Sequence, residues 1–143
     1  MKNLFLLLIM TVSLTTFAQD NDHSIIGQWE TYDDKTNEKK AVIEIYKTDD
    51  LYFAKIVENF VSKNDAVCEA CEGAKKNSPI IGLVIIEDLK KDGDEFNGGT
   101  ILDPESGDTY KCYLKLVKPD KLKVRGYLGF ALLGRTQYWV RKG

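Results

Sequence analysis

From Gly27 onward the apolar residues recur largely at every second position, in short runs separated by turn-forming clusters. Residues 27–32 (GQWETY) read as a first strand, and the polar stretch 33–40 follows as its connection. Residues 41–47 (AVIEIYK) and 51–57 (LYFAKIV) are rich in β-branched and aromatic side chains with only Thr48-Asp49-Asp50 between them, which predicts a hairpin. The period is lost over 59–79, a long excursion with room for one helical turn; connections of this length tend to carry function or to move. Strand signals resume over 80–88 (IIGLVIIED) and 95–102. Asp103-Pro104-Glu105-Ser106-Gly107-Asp108 then has the chemistry of a turn, since Pro presets φ and Gly supplies a positive one. Beyond it Tyr110, Cys112, Leu114 and Leu116 fall on one face and Lys111 and Lys115 on the other. Leu122, Val124, Gly126 and Leu128 repeat the pattern against Lys121, Lys123 and Arg125, and residues 135–141 (RTQYWVR) form a closing strand.

About eight short strands without an amphipathic helix predict an all-β fold. A single antiparallel up-and-down barrel fits best, because closure leaves no exposed edge and eight strands enclose either packed side chains or one small ligand. A two-sheet sandwich is the alternative, and alternation alone does not separate the two.

The N-terminal residues follow another pattern. Met1-Lys2-Asn3, the apolar run 4–12 and the small-residue site Thr16-Phe17-Ala18 make residues 1–18 a signal peptide, cut between Ala18 and Gln19. The run is well short of the roughly 20 apolar residues of a spanning helix, so no transmembrane segment is expected. No Cys follows the cut to accept a lipid anchor. Residues 19–143 are then one domain, exported to the periplasm or outside the cell. The formal net charge of −2 gives no field to attract phosphate backbones, and nucleic acid is not expected as a partner.

Few residues suggest chemistry. Cys68-Glu69-Ala70-Cys71, in an exported chain, favours a local Cys68–Cys71 disulfide pinning the long connection. Redox catalysis would want the first Cys at a helix N-terminus in a βαβ setting. Cys112 lies on an apolar strand face and reads as a buried free thiol, although its pairing with a loop cysteine stays open. Structural zinc needs about four ligands; Cys112 and the single histidine, His23, are poorly placed to supply them, so neither metal nor cofactor is expected. His23 sits in a polar leader, which leaves no neutral-pH base for Ser-His-Asp or Cys-His catalysis. Asp103, Glu105 and Asp108 are explained by turn geometry. The remaining constellation is Arg125 and Tyr127 on one strand and Arg135, Gln137, Trp139 and Arg141 on the next. Converging on one face they would suit a small polar or anionic ligand; the plainer reading makes Arg125 part of a solvated outer face with the Trp closing the core. Gly126, Gly129 and Gly134 around Phe130-Ala131-Leu132-Leu133 suggest a bulge or an apolar hairpin tip.

Gly27-x-Trp29, Ile101-Leu102-Asp103-Pro104 with Gly107 and Tyr110, Leu122-x-Val124-Arg125-Gly126-Tyr127 and Gly134-Arg135-Thr136-Gln137-x-Trp139-x-Arg141 together resemble the bacterial exported family called domain of unknown function 2147. The likeness runs over nearly the whole of residues 19–143, takes in Pro79-Ile80-Ile81-Gly82, and implies no catalytic residue. A looser likeness is to the calycin barrels, lipocalins among them, in which an early Gly-x-Trp packs under a basic residue of the last strand. It implies that Trp29 pairs with Arg141, or alternatively with Arg135. Three readings follow. The first is non-enzymatic binding of a small apolar or amphipathic ligand, with Trp29, Tyr110, Tyr127 and Trp139 lining or closing the barrel. The second is an envelope module that docks a protein partner through the Cys-bearing loop or the apolar tip. An enzyme ranks last. The oligomeric state is left open.

Overall fold

Period-two burial becomes eight strands in the computed structural model, which describes residues 24–143. They are β1 (Gly27–Tyr32), β2 (Lys39–Thr48), β3 (Leu51–Asn59), β4 (Val84–Asp92), β5 (Glu95–Leu102), β6 (Thr109–Lys118), β7 (Lys121–Tyr127) and β8 (Gly134–Arg141). Each pairs antiparallel with its neighbour in sequence, and β8 returns to β1, so the sheet closes into an up-and-down barrel rather than a sandwich. The predicted leader over 1–18 and His23 lie outside the described residues.

The register decides which side chains share a face. In β7 and β8 Leu122 lies opposite Trp139 and Val124 opposite Gln137, whereas Lys123 lies opposite Tyr138 and Arg125 opposite Thr136. The first set turns inward with Ile43, Ile45, Ala54, Leu89, Cys112 and Leu114, all buried. The second faces water. An apolar interior and a charged exterior are the reverse of a barrel that spans a bilayer, and no helix among the described residues is long and apolar enough to cross one.

One strand starts later than its sequence suggests. The run 80–88 reads as extended throughout, yet β4 begins only at Val84. The Gly82 amide donates to the Ile56 carbonyl at 2.7 Å, and the Leu83 carbonyl accepts from the Ile56 amide at 3.0 Å. Gly82, at a φ of +91°, turns the chain between them. The run thus docks on β3 before entering the sheet.

The barrel is shut at the end where the chain enters it. Trp29 is fully buried, and its indole N–H donates to the Ile25 carbonyl at 2.8 Å. The Arg141 guanidinium stacks 4.3 Å from the Trp29 ring centre. Its Nε donates to the Pro119 carbonyl at 2.9 Å, Nη1 to Ile26 at 3.1 Å and Nη2 to Ser24 at 2.8 Å. Arg141, not Arg135, is therefore the partner of Trp29. A planar fork can stack and donate in three directions at once, which an ammonium cannot. Only two residue pairs, Trp29–Arg141 and Glu30–Val140, join β1 to β8, so this one side chain carries much of the closure.

Arg141→Ala is expected to lower unfolding stability by about 2–4 kcal/mol, and Arg141→Lys to recover less than half of that loss. Urea titrations of the three proteins decide the matter; a Lys variant as stable as the parent would show that charge alone suffices.

Candidate functional site

The two ends of the barrel are built from connections of different length. At the shut end residues 49–50, 93–94 and 119–120 turn tightly between strands; at the other end 33–38, 60–83, 103–108 and 128–133 span wider gaps. The strands stay paired up to the long connections, as at Tyr32–Lys39, Leu102–Thr109 and Tyr127–Gly134, so the two ends differ in how side chains fill them. The interior at the end with the long connections is a cavity of about 930 Å3, with Ile43, Ile56, Ile85, Ile101, Val124 and Trp139 among its walls.

The inward row of β8 runs from mouth to base as Arg135, Gln137, Trp139 and Arg141. Arg135 stands at the rim. Its Nε donates to Asp34 Oδ2 at 2.9 Å and its Nη2 bonds the same oxygen; that hydrogen bonding raises the guanidinium pKa further. Across the mouth Lys40 pairs with Glu105 at 3.0 Å. Gln137 lies one pleat deeper. The Trp139 indole N–H lies 3.5 Å from Gln137 Oε1, and since an indole can only donate, the amide NH2 is the end left for the cavity. Thr31 Oγ1, also lining the cavity, sits 3.4 Å from the Ala41 carbonyl. The chamber is thus apolar with a few hydrogen-bonding groups at fixed depths.

The segment 60–83 supplies the remaining wall through Val61, Ser62, Ala66, Val67 and Ile80. A disulfide joins Cys68 to Cys71, both buried. The Cys68 amide donates to the Ser78 carbonyl at 2.8 Å and the Asn77 amide to the Cys68 carbonyl at 2.9 Å. The loop leans on the β5–β6 turn: a Cβ on Gly107 would lie 2.0 Å from the Ala70 carbonyl oxygen, so only glycine permits the contact. A single 3-10 turn, Gly73–Lys75, places Lys75 to bond the Val84 carbonyl at 3.0 Å and Glu87 at 2.9 Å. The disulfide closes a short loop within the excursion, which is tied to the barrel by the Ala70–Gly107 contact and by Lys75.

Residues 27–141 match the family described as "Uncharacterized protein conserved in bacteria (DUF2147)". The chain belongs to the DUF2147 family. No curated protein matches it in sequence. Among solved structures it is similar to one described as "Protein HP1028 from the human pathogen Helicobacter pylori belongs to the lipocalin family", with a TM-score of 0.74, 16% identity and 84% of each chain covered. The DUF2147 barrel is therefore lipocalin-like in fold.

Of the residues singled out in the sequence, Tyr110, Arg135, Gln137 and Trp139 line the cavity together. Tyr127 belongs to the outward row beside Tyr113, with ring centres 6.4 Å apart, and borders the cavity at its mouth. Trp29 and Arg141 lie beneath it and close the base. Arg125 does not converge with them. Opposite Thr136, it points outward and donates to Thr136 Oγ1 at 2.8 Å and to the Ala131 carbonyl at 2.7 Å, bracing the β7–β8 tip. Sequence reasoning misses the wall made by Val61, Ala66, Val67 and Ile80 because the segment has no period; its apolar residues are the only signal. Cys112 is a free, fully buried thiol whose pKa burial pushes up to about 12.

Burial that pushes the thiol up to about 12 keeps Cys112 neutral at pH 8. Without reductant, the native protein is expected to leave a disulfide-exchange reagent unreacted at pH 8, and the unfolded protein to react with one equivalent. Three equivalents on unfolding would disprove the Cys68–Cys71 bond.

Proposed function

We propose that this DUF2147 protein is a non-enzymatic binder of a small amphipathic molecule, held with its apolar body in the open half of the barrel. The observation that carries the reading is the cavity of about 930 Å3, within the range of about 300–1,000 Å3 usual for small-molecule sites. Its walls of Ile, Val and Trp offer an apolar body a favourable exchange with water, roughly 25 cal/mol for each Å2 buried. Gln137 and Thr31 can hold one polar group of the ligand. Amide and hydroxyl groups fix orientation rather than exchange protons at neutral pH, which favours binding over catalysis. The lipocalin-like fold is in keeping with this role.

The leader pattern supports export to the bacterial periplasm or beyond, and the Cys68–Cys71 disulfide suits an oxidising compartment. The exposed β7–β8 tip supports a second role, contact with another envelope component, which leaves the cavity free.

Native mass spectrometry of the protein from its own host is expected to show an added mass that is lost on denaturation. For the emptied barrel, titration with N-phenyl-1-naphthylamine is expected to show one saturable site. Val124→Phe, which intrudes on the cavity opposite Gln137, should weaken that site at least tenfold, whereas the outward Lys123→Ala should not. Binding that is unsaturable, or equal in all three proteins, would remove the cavity from consideration.

A further inference from the structure

The exposed apolar residues are unevenly placed. Leu128, Phe130, Leu132 and Leu133 crowd into the six-residue tip between β7 and β8, and Leu132 is 85% exposed. Four large side chains cast into water at one hairpin end have a standing cost that burial elsewhere would relieve. The tip is not a loose loop. The Leu128 amide donates to the Leu133 carbonyl at 2.9 Å, the Leu133 amide to Phe130 at 3.0 Å, and Arg125 grips the Ala131 carbonyl. Gly134 seats the tip against β7, since a Cβ there would lie 2.2 Å from the Gly126 carbonyl oxygen.

The outer face behind this tip is cationic. Lys121, Lys123 and Arg125 follow one another on the outward row of β7, and Lys111 on β6 stands opposite Tyr127 beside the tip. Among the described residues none of these four forms a salt bridge with a carboxylate; Lys121 and Lys123 instead lie 4.6 and 5.5 Å from the rings of Tyr138 and Tyr113. Carboxylates border the patch two strands away, Glu95 opposite Lys115, Glu87 opposite Thr100 and Glu30 opposite Val140, and Asp120 precedes Lys121. With alternate strand residues roughly 7 Å apart, Lys123 stands about one Debye length (~8–10 Å) or less behind Arg125, where it still feels a charged plane that meets the tip. The turns 33–38 and 103–108, beside the tip on either side, carry acidic groups, so contact is favoured at this one edge and not over the whole mouth.

We propose that the β7–β8 hairpin docks the barrel on an anionic phospholipid surface, with Leu128, Phe130, Leu132 and Leu133 entering the acyl boundary and Lys111, Lys123 and Arg125 meeting the headgroups. Apolar insertion and cationic attraction act together in this geometry, each alone being weak. The surface also continues into the barrel, because Leu128 and Leu133 line the cavity mouth. Docking through the hairpin's outer surface does not require the cavity to hold a ligand.

The test is co-sedimentation of residues 19–143, without the leader, with vesicles of phosphatidylglycerol and phosphatidylcholine, and of phosphatidylcholine alone. Binding to the anionic vesicles is expected, reduced several-fold by 0.5 M salt. Phe130→Asp with Leu132→Asp should cut the partition coefficient at least tenfold, and Lys111→Glu with Lys123→Glu several-fold. Val117→Asp, which changes an exposed apolar residue at the shut end, should leave it unchanged. Should the acidic tip variant fail to fold, Phe130→Trp gives a second measurement: indole emission that moves to the blue on anionic vesicles and is quenched by brominated acyl chains. No vesicle binding, binding indifferent to the tip substitutions, or an emission of the Phe130→Trp variant that does not move overturns the proposal. A concentration-dependent dimer lost in the tip variant, without vesicle binding, also overturns it and gives the tip to a second copy of the chain.

Discussion

Closing a sheet on itself requires that the first strand meet the last, and here the meeting is held by one indole and one guanidinium. Trp29 fills the base and Arg141 lies on it while donating to three carbonyls of the chain that frames that end. The β1–β8 ladder beside them is two residue pairs long, whereas β7 and β8 share seven. Stacking and charge-assisted hydrogen bonds at the base therefore do work that backbone pairing does elsewhere. Everything above depends on it: with the base fixed, β1 and β8 can part above Glu30–Val140 without the cylinder falling open.

From that constraint the interior divides in two. Near the base, inward residues such as Leu114, Leu122 and Trp29 meet across the barrel and exclude water. Toward the mouth many inward residues are Ile, Val and Thr, with a Gly at 126, and the larger Tyr110, Gln137 and Trp139 stand at its wall without filling it, so a chamber remains. The loop 60–83 completes its wall where the Gly107–Ala70 contact, Lys75 and the bonds between Ile56 and Gly82–Leu83 tie it to the strands. Gln137 and Thr31 reach the chamber at fixed depths, with the charged groups gathered at its rim, so it offers a ligand direction as well as volume.

The barrel is legible in the sequence because period-two alternation and turn chemistry agree along most of the chain, and both are local properties. Trp29 with Arg141 is legible by likeness to known barrels, not by spacing. The chamber is not. Alternation tells which residues turn inward, but whether they touch depends on side-chain volumes summed across strands distant in sequence. The sequence allows Arg125 a place beside Arg135 and Gln137 or one on the outer face, and the choice turns on hairpin register. Six residues between β7 and β8 set Arg125 against Thr136 and leave Gly126 against Arg135; a loop length cannot be read from a stretch whose glycines allow several turns. The run 80–83 misleads for a related reason, its apolar residues being spent on a docked turn.

The short β1–β8 ladder has a mechanical meaning too. A cylinder yields along its most sparsely laced joint, which here runs from the Trp29 base up to the Asp34–Arg135 pair at the rim. Backbone pairing resists parting least between first and last strand, where two pairs stand against seven between β7 and β8. The Asp34–Arg135 pair then ties that joint at the rim, a hasp over a seam that backbone pairing leaves open.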